Sequence, residues 1–257
     1  MVKIVFVDFD GTLFSHYSNR IPSSAVKAIE QMQDNGILVF ICTGRSLYEL
    51  DDFDFAGLKF DGIIANNGQL AYDKNGKELI NTPIDGELKD FIVDFFNKKT
   101  VPITFNTISR VFCNYLDDEL IRMLAEINTV APEAKAYEGE DIYMCSAFYN
   151  NQERWNELMS IKDIANITYW HSGGVDIVPK SSTKAKAVEK IIEMYGIKQT
   201  ETMAIGDSEN DVNLLKYCEI GVAMGNGTDD VKEVADYVTD HIDDDGIYNI
   251  CKKLNLI

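Results

Sequence analysis

An aspartate pair two residues apart, Asp8-Phe9-Asp10, stands directly behind a short β-branched apolar run and ahead of Gly11-Thr12. Residues i and i+2 of an extended chain project to the same side, so this spacing aims both carboxylates at one site and turns Phe9 away. Carboxylates held together repel unless a cation lies between them, and Mg2+ with oxygen ligands is the natural candidate. The plainer alternative is an acidic turn, which Asp and Gly often make. A second acidic group lies in Gly206-Asp207-Ser208-Glu209-Asn210-Asp211. Asp207 and Asp211 are four apart and share a face wherever that turn is helical. The alternative is a capping Asp with a solvated acidic first turn, which the helix dipole favours, and Glu209 is read as only that.

Thr43-Gly44-Arg45 combines a hydroxyl with the backbone N–H groups of an opening helix, an arrangement that binds anions. Lys184 falls just before a predicted helix, where an ammonium opposes the dipole, so it is expected to be held by acids or by a phosphate. Lys180 and Lys186 compete with it by proximity. Each motif alone reads as an ordinary turn. Together they place acids, a hydroxyl and a helix N-terminus behind successive predicted strands, where doubly wound sheets bind ligands.

The elements that must position these residues follow from the apolar pattern. Residues 3–7, 37–41, 61–65 and 202–205 are short apolar runs bounded by turn residues, the signature of buried parallel strands. Helices are predicted from about Ser23 to Gly36 and over 46–50, 186–195, 212–217 and 229–235, with further strands at 221–224 and 237–239. Between them the pattern changes. A hairpin around Asn75-Gly76 spans 69–80. Helical periodicity appears over 85–97, 118–127 and 153–159, and strand patterning over 103–115, 142–149 and 168–178. The middle third reads as an antiparallel sheet with two helices. The fold class is therefore α/β, a doubly wound (Rossmann-like) parallel sheet at 1–81 and 180–257, with an α+β cap inserted at 82–179.

Composition excludes several other classes. The 257 residues are 46% hydrophobic and 26% charged, a globular balance, and the net charge of −18 repels nucleic-acid phosphates and anionic membranes. No apolar run approaches the ~20 residues of a membrane span. Asp8 arrives too early for a signal peptide. Five scattered cysteines without a Cys-x-x-Cys pair suit a reducing cytoplasm, and His16, His171 and His241 form no local metal motif.

In order, Asp8-Phe9-Asp10-Gly11-Thr12-Leu13, Thr43-Gly44-Arg45, Lys184 and Gly206–Asp211 resemble the four motifs of the haloacid dehalogenase (HAD) superfamily. The Asp-x-Asp form is similar to its phosphatase branch. The position of the insert, with Asn67-Gly68 and the stretch Gly221 to Gly227, resembles the type-2 caps of the Cof-like sugar phosphatases. One departure stands out: Ala185 follows Lys184 where the family usually has Gly. Aligning Asp176-Ile177-Val178-Pro179 with the family's preceding strand selects Lys184 over Lys180 and Lys186.

The resemblance implies a Mg2+-dependent phosphatase in which Asp8 is the nucleophile and Asp10 the general acid and base. It implies metal ligation by Asp8, the Asp10 backbone carbonyl and Asp207. Asp211 would orient Lys184 or reach the metal through water. Thr43, Gly44, Lys184 and Asn210 would hold the phosphate, and the insert would close as a lid. The expected partner is a small phosphorylated metabolite, with no nucleic acid and no membrane, and the chain a monomer or weak homo-oligomer. A phosphomutase on the same scaffold would carry identical motifs. A non-enzymatic phospho-receiver would need neither Asp10 nor so large an insert.

Overall fold

The computed structural model describes residues 1–126, 129–148, 152–171 and 173–257. The chain divides into two compact units, Met1–Gly44 with Phe53–Ile80 and Thr183–Ile257, and Arg45–Asp52 with Asn81–Ser182. Residues 45–52, which the sequence pattern groups with the core, thus belong by their contacts to the second unit.

With elements numbered in chain order, the first unit holds β1 (Ile4–Val7), β2 (Leu38–Cys42), β3 (Gly62–Ala65), β4 (Leu70–Asp73), β5 (Glu78–Asn81), β12 (Thr202–Gly206), β13 (Ile220–Ala223) and β14 (Tyr237–Val238). These form one sheet in the order β14-β13-β12-β1-β2-β3-β4-β5. β1 pairs in parallel with both β2 and β12, and β3 pairs antiparallel with β4. The chain runs outward from β1 through β2 and β3, and later returns to β12 on the other side of β1. The reversal of strand order therefore falls between β1 and β12, and ligands of open α/β sheets bind outside the carboxyl ends of the strands at such a point.

All four residues of β1 are fully buried, as a parallel strand covered on both faces requires. Ile4 and Phe6 share a cluster with Val188 and Ile191 of α6 (Lys184–Met194), Leu214 and Leu215 of α7 (Val212–Tyr217) and Val231 of α8 (Asp229–Val234). Val5 and Val7, out of phase by one residue, point to the opposite face. There α1 (Ser23–Asp34) packs against α9 (Gly246–Lys253), with Cys251 Sγ 3.6 Å from Met32 Sδ. Each such buried aliphatic contributes roughly 1.5–3 kcal/mol. Helix α9 is absent from the predicted elements. Its apolar stripe of Ile247, Ile250 and Cys251 is short and follows three consecutive aspartates that read as loop.

The second unit holds β6 (Ile103–Asn106), β7 (Val111–Cys113), β8 (Glu133–Ala134), β9 (Met144–Phe148), β10 (Ala165–His171) and β11 (Gly174–Pro179), in the order β10-β11-β9-β6-β7-β8. Its ladders are antiparallel except that β7 and β8 run parallel. Among the described residues three helices, not two, accompany the sheet: α3 (Gly86–Lys98), α4 (Asp118–Glu126) and α5 (Gln152–Met159), besides the single turn α2 (Leu47–Leu50). The predicted ends at Ile127 and Tyr149 lie outside the described residues. An aromatic core centred on Phe96, Phe105 and Phe112 joins α3 to the sheet, with the Phe96 and Phe105 rings stacked at 4.3 Å. Among the described residues, no helix is long and apolar enough to cross a membrane.

Candidate active site

β1 ends at Val7, and the Asp8 backbone N–H donates to Ile205 O at 2.9 Å, so the chain leaves the sheet only after Asp8. Phe9 is fully buried against Phe14, Phe53 and Phe55, turned away as the alternation predicts. Gly11 then takes a left-handed φ of 76°, and the Asp207 carboxylate fills the space where a Cβ would stand. A side chain there would meet both strain and a charged group. Glycine alone fits.

From the ends of β1 and β12, the carboxylates of Asp8, Asp207 and Asp211 converge, each with an oxygen within 4.8 Å of the others. Lys184 enters from α6. Thr183 caps that helix, its Oγ1 accepting the Lys186 N–H at 3.1 Å, so the helix starts at Lys184, two residues before the periodicity suggests. Lys184 is 1% exposed and donates to Asp8 Oδ1 at 2.5 Å and Asp211 Oδ1 at 2.7 Å. Acids therefore hold this ammonium, one of the two possibilities its place at a helix N-terminus leaves open. The other Asp211 oxygen accepts the Asp207 and Ser208 backbone N–H groups at 3.1 and 3.2 Å. Asp211 thus ties the lysine to the loop that carries Asp207.

Three carboxylates face one ammonium. Burial, then the charge of Asp211, hold the Asp8 carboxyl well above the usual range despite the pull of Lys184. Burial and Asp211 likewise raise Asp207 to about 7, against a hydrogen bond from Thr12. Lys184 moves the other way: burial would lower it, but Asp211 and Asp8 outweigh that and keep it charged. The cluster is short of positive charge, and its all-oxygen donors fit a hard divalent cation.

Beside this cluster lies an amide-rich turn. Thr43 is buried; its backbone N–H donates to Ile64 O at 2.8 Å, and its carbonyl accepts the Asn67 N–H at 3.1 Å. Asn66 and Asn67 both have left-handed φ, which Asn tolerates better than other residues with a Cβ. Asn210 Nδ2 donates to Asn67 Oδ1 at 3.1 Å, and both amides approach Gly44 within 3.3–3.6 Å of where a Cβ would lie. Thr43, Gly44 and Asn210 therefore gather around one point. Arg45 belongs to the second unit, where its Nη1 donates to Thr129 Oγ1 at 3.0 Å. The Asp10 carboxylate stands outside the converging three and meets His16 Nε2 at 2.8 Å.

Four residues of the site carry contacts that the motif reading leaves out. Thr12 Oγ1 donates to Asp207 Oδ1 at 2.8 Å. Asn226 Nδ2 donates to Gly11 O at 2.7 Å and its Oδ1 accepts the Ile242 N–H, pinning the turn after Asp10. Asn67 and His16 complete the set. Thr12, Asn67 and Asn226 lie inside stretches that carry the family resemblance, a signal available in the sequence. His16 has none, because it sits in an irregular loop without periodicity.

Asp8 bonded to a buried lysine, with Asp207 and Asp211 beside it, lies at the strand-order reversal, where open α/β sheets bind ligands. The family of haloacid dehalogenase-like hydrolases matches residues 5–250, and the chain belongs to it. It is a phosphatase of that family. The 5-amino-6-(5-phospho-D-ribitylamino)uracil phosphatase YcsE of Bacillus subtilis is 29% identical, over 96% of this chain and 93% of its own. The phosphatase BT1666 of Bacteroides thetaiotaomicron is 27% identical with a TM-score of 0.89, covering 100% of this chain and 96% of that one. The subclass IIB sugar phosphatase BT4131 is 32% identical with a TM-score of 0.87, and the match covers 100% of both chains.

Proposed function

We propose that the protein hydrolyses small phosphate monoesters of sugars or sugar alcohols through an aspartyl-phosphate on Asp8. The observation that carries this reading is the buried Asp8–Lys184–Asp211 chain beside Asp207, at the strand-order reversal. Asp8 attacks phosphorus, an Asp8 Oδ–P bond forms as the ester P–O bond breaks, and Asp10 gives its proton to the departing oxygen. Water then attacks the same phosphorus, Asp10 takes the water's proton, and the Asp8 Oδ–P bond breaks to release phosphate. Lys184, Thr43, the backbone at Gly44 and Asn210 hold the non-bridging oxygens, where donors placed in advance stabilise developing charge. Asp8, Asp207 and the Asp10 carbonyl would hold a Mg2+ ion, which would supply the charge that lets two anions meet. With both oxygens engaged, Asp211 orients Lys184 and the 207–208 backbone.

The second unit, built on its own core, reads the leaving group and excludes water. The phospho-ribityl compound named for YcsE and the description of BT4131 as a sugar phosphatase support a hydroxyl-bearing leaving group. A cytoplasmic location is supported by five cysteines that are all buried and unpaired. The test is to incubate the purified protein with Mg2+ and a panel of sugar and sugar-alcohol phosphates, while trapping acid-stable labelled enzyme. Release of phosphate without isomerised ester, with label lost in Asp8→Asn, is expected. Turnover with no covalent label, or with label at another residue, refutes the reading.

A further inference from the structure

We infer that His16 is a positioning residue for Asp10, holding the acid/base carboxylate in its working orientation; this rests on the acid/base reading of Asp10 proposed above. His16 Nε2 lies 2.8 Å from Asp10 Oδ1. Both side chains remain about one-third exposed, so a mobile carboxylate would otherwise sample solvent.

The loop that presents His16 is tied down at each step. Gly11 N–H donates to Phe14 O at 3.0 Å, and Leu13 and Phe14 N–H both donate to Phe9 O. Ser15 and Arg20 exchange backbone hydrogen bonds at 3.0 and 3.2 Å, closing a short reversal with His16 inside it. Phe14 is 3% exposed, with its ring stacked on Phe9 and edge-on to Phe53 at 4.8 Å. The His16 ring stands edge-on to Phe14, with centroids 5.4 Å apart. The imidazole is thus braced on one side by a buried ring and bonded on the other to Asp10.

A carboxylate can turn about two side-chain bonds, and a proton donor misaimed by an ångström loses rate even when its chemistry is intact. In the tautomer that carries the Nε2 proton, Nε2–H donates to Oδ1, leaves Oδ2 to carry the transferred proton, and fixes the plane of the group.

The test separates this role from a structural one by leaving group. p-Nitrophenyl phosphate departs as a stable phenolate; phenyl phosphate needs more help from an acid. Pre-steady-state release of the phenol reads the first step alone. Asp10→Asn should slow that step more for phenyl phosphate than for the nitrophenyl ester. His16→Phe keeps the ring contact with Phe14 and loses the hydrogen bond. It should show the same bias at about tenfold, a fraction of the 10²–10⁴ that acid–base catalysis supplies, in kcat rather than KM. His16→Gln, whose amide N–H can reach the same oxygen, should recover most of the loss. Equal losses for both esters in His16→Phe, no loss, or no recovery in His16→Gln overturns the inference while Asp10→Asn still shows the bias. Absence of bias in Asp10→Asn, or no turnover of either ester by the native protein with Mg2+, fails the underlying reading instead. His16→Leu repeats the measurement should His16→Phe fail to fold.

Discussion

Lys184 Nζ bonds Asp8 Oδ1 at 2.5 Å and Asp211 Oδ1 at 2.7 Å, joining residues that lie 176 and 27 positions away in the chain. All three side chains are buried, so the ammonium neutralises two desolvated acids. Removing one partner of such a network leaves a buried charge uncompensated, which costs about 3–5 kcal/mol. Lys184→Met should therefore lower stability by that order in urea unfolding and reduce turnover by more than about 100-fold. A variant that unfolds at the native urea midpoint would show that Lys184 does not neutralise the pair.

How far the sequence discloses this site depends on the residue. Asp8 and Asp207 are legible because each closely follows a short apolar run bounded by turn residues, Ile4–Val7 and Met203–Ile205, the pattern of a buried strand. The choice of Lys184 over its neighbours is not legible from pattern alone. It hangs on where α6 starts, which the Thr183 cap decides. Lys186 instead faces outward to Glu189, and Lys180 donates to Lys162 O at the surface. The allocation of residues 45–52 to the second unit leaves no trace in composition, since the contact from Arg45 to Thr129 spans 84 positions. The contact of His16 with Asp10 stays hidden for the same reason, as it depends on a loop closed by backbone bonds.

Asp8→Asn should abolish turnover, by roughly 10⁴-fold or more, because an amide is a far poorer nucleophile. Its effect on stability runs opposite to that of Lys184→Met. Burial and Asp211 already disfavour the charged form of Asp8, and Lys184 keeps Asp211 as a partner after the substitution. In a chelator the melting temperature should hold or rise. A clear fall in Tm would mean that Asp8 contributes to the fold and not only to the reaction.

Asp207 gives a dependence on pH and metal with a definite sign. Its folded pKa of about 7 lies above the ordinary 3.8, so between these values the metal-free fold binds more protons than the unfolded chain. Its contribution to stability is therefore largest below pH 4 and is lost as pH rises toward 7. Added Mg2+ competes with that proton and should reverse the trend. In a chelator, Asp207→Asn should gain Tm relative to the native protein as pH climbs from 5 to 8. With millimolar Mg2+ the native protein should regain it. A Tm difference that is flat across this range in the chelator would refute the assignment.

The last prediction concerns the polar face of the second unit's sheet. Thr104 of β6 pairs with Ser146 of β9, and Ser146 pairs with Asp176 of β11, so the three form a row across adjacent strands. Ser146 Oγ donates to Asp176 Oδ1 at 2.7 Å along that row. Their strand neighbours Phe105, Cys145, Ala147, Val175 and Ile177 point the other way into the aromatic core. A row of hydroxyl and carboxylate groups on a rigid sheet can exchange hydrogen bonds with the hydroxyls of a sugar. It offers nothing to acetyl phosphate, which has no hydroxyl on its leaving group. If the second unit reads the leaving group, Asp176→Asn and Ser146→Ala should lower kcat/KM for sugar phosphates by about 10-fold each, a loss of roughly 1.4 kcal/mol. The same variants should leave acetyl phosphate turnover within about twofold, because binding energy from remote groups is used only where those groups exist. Matched losses on both substrates, with Tm unchanged, would show that this face does not distinguish leaving groups.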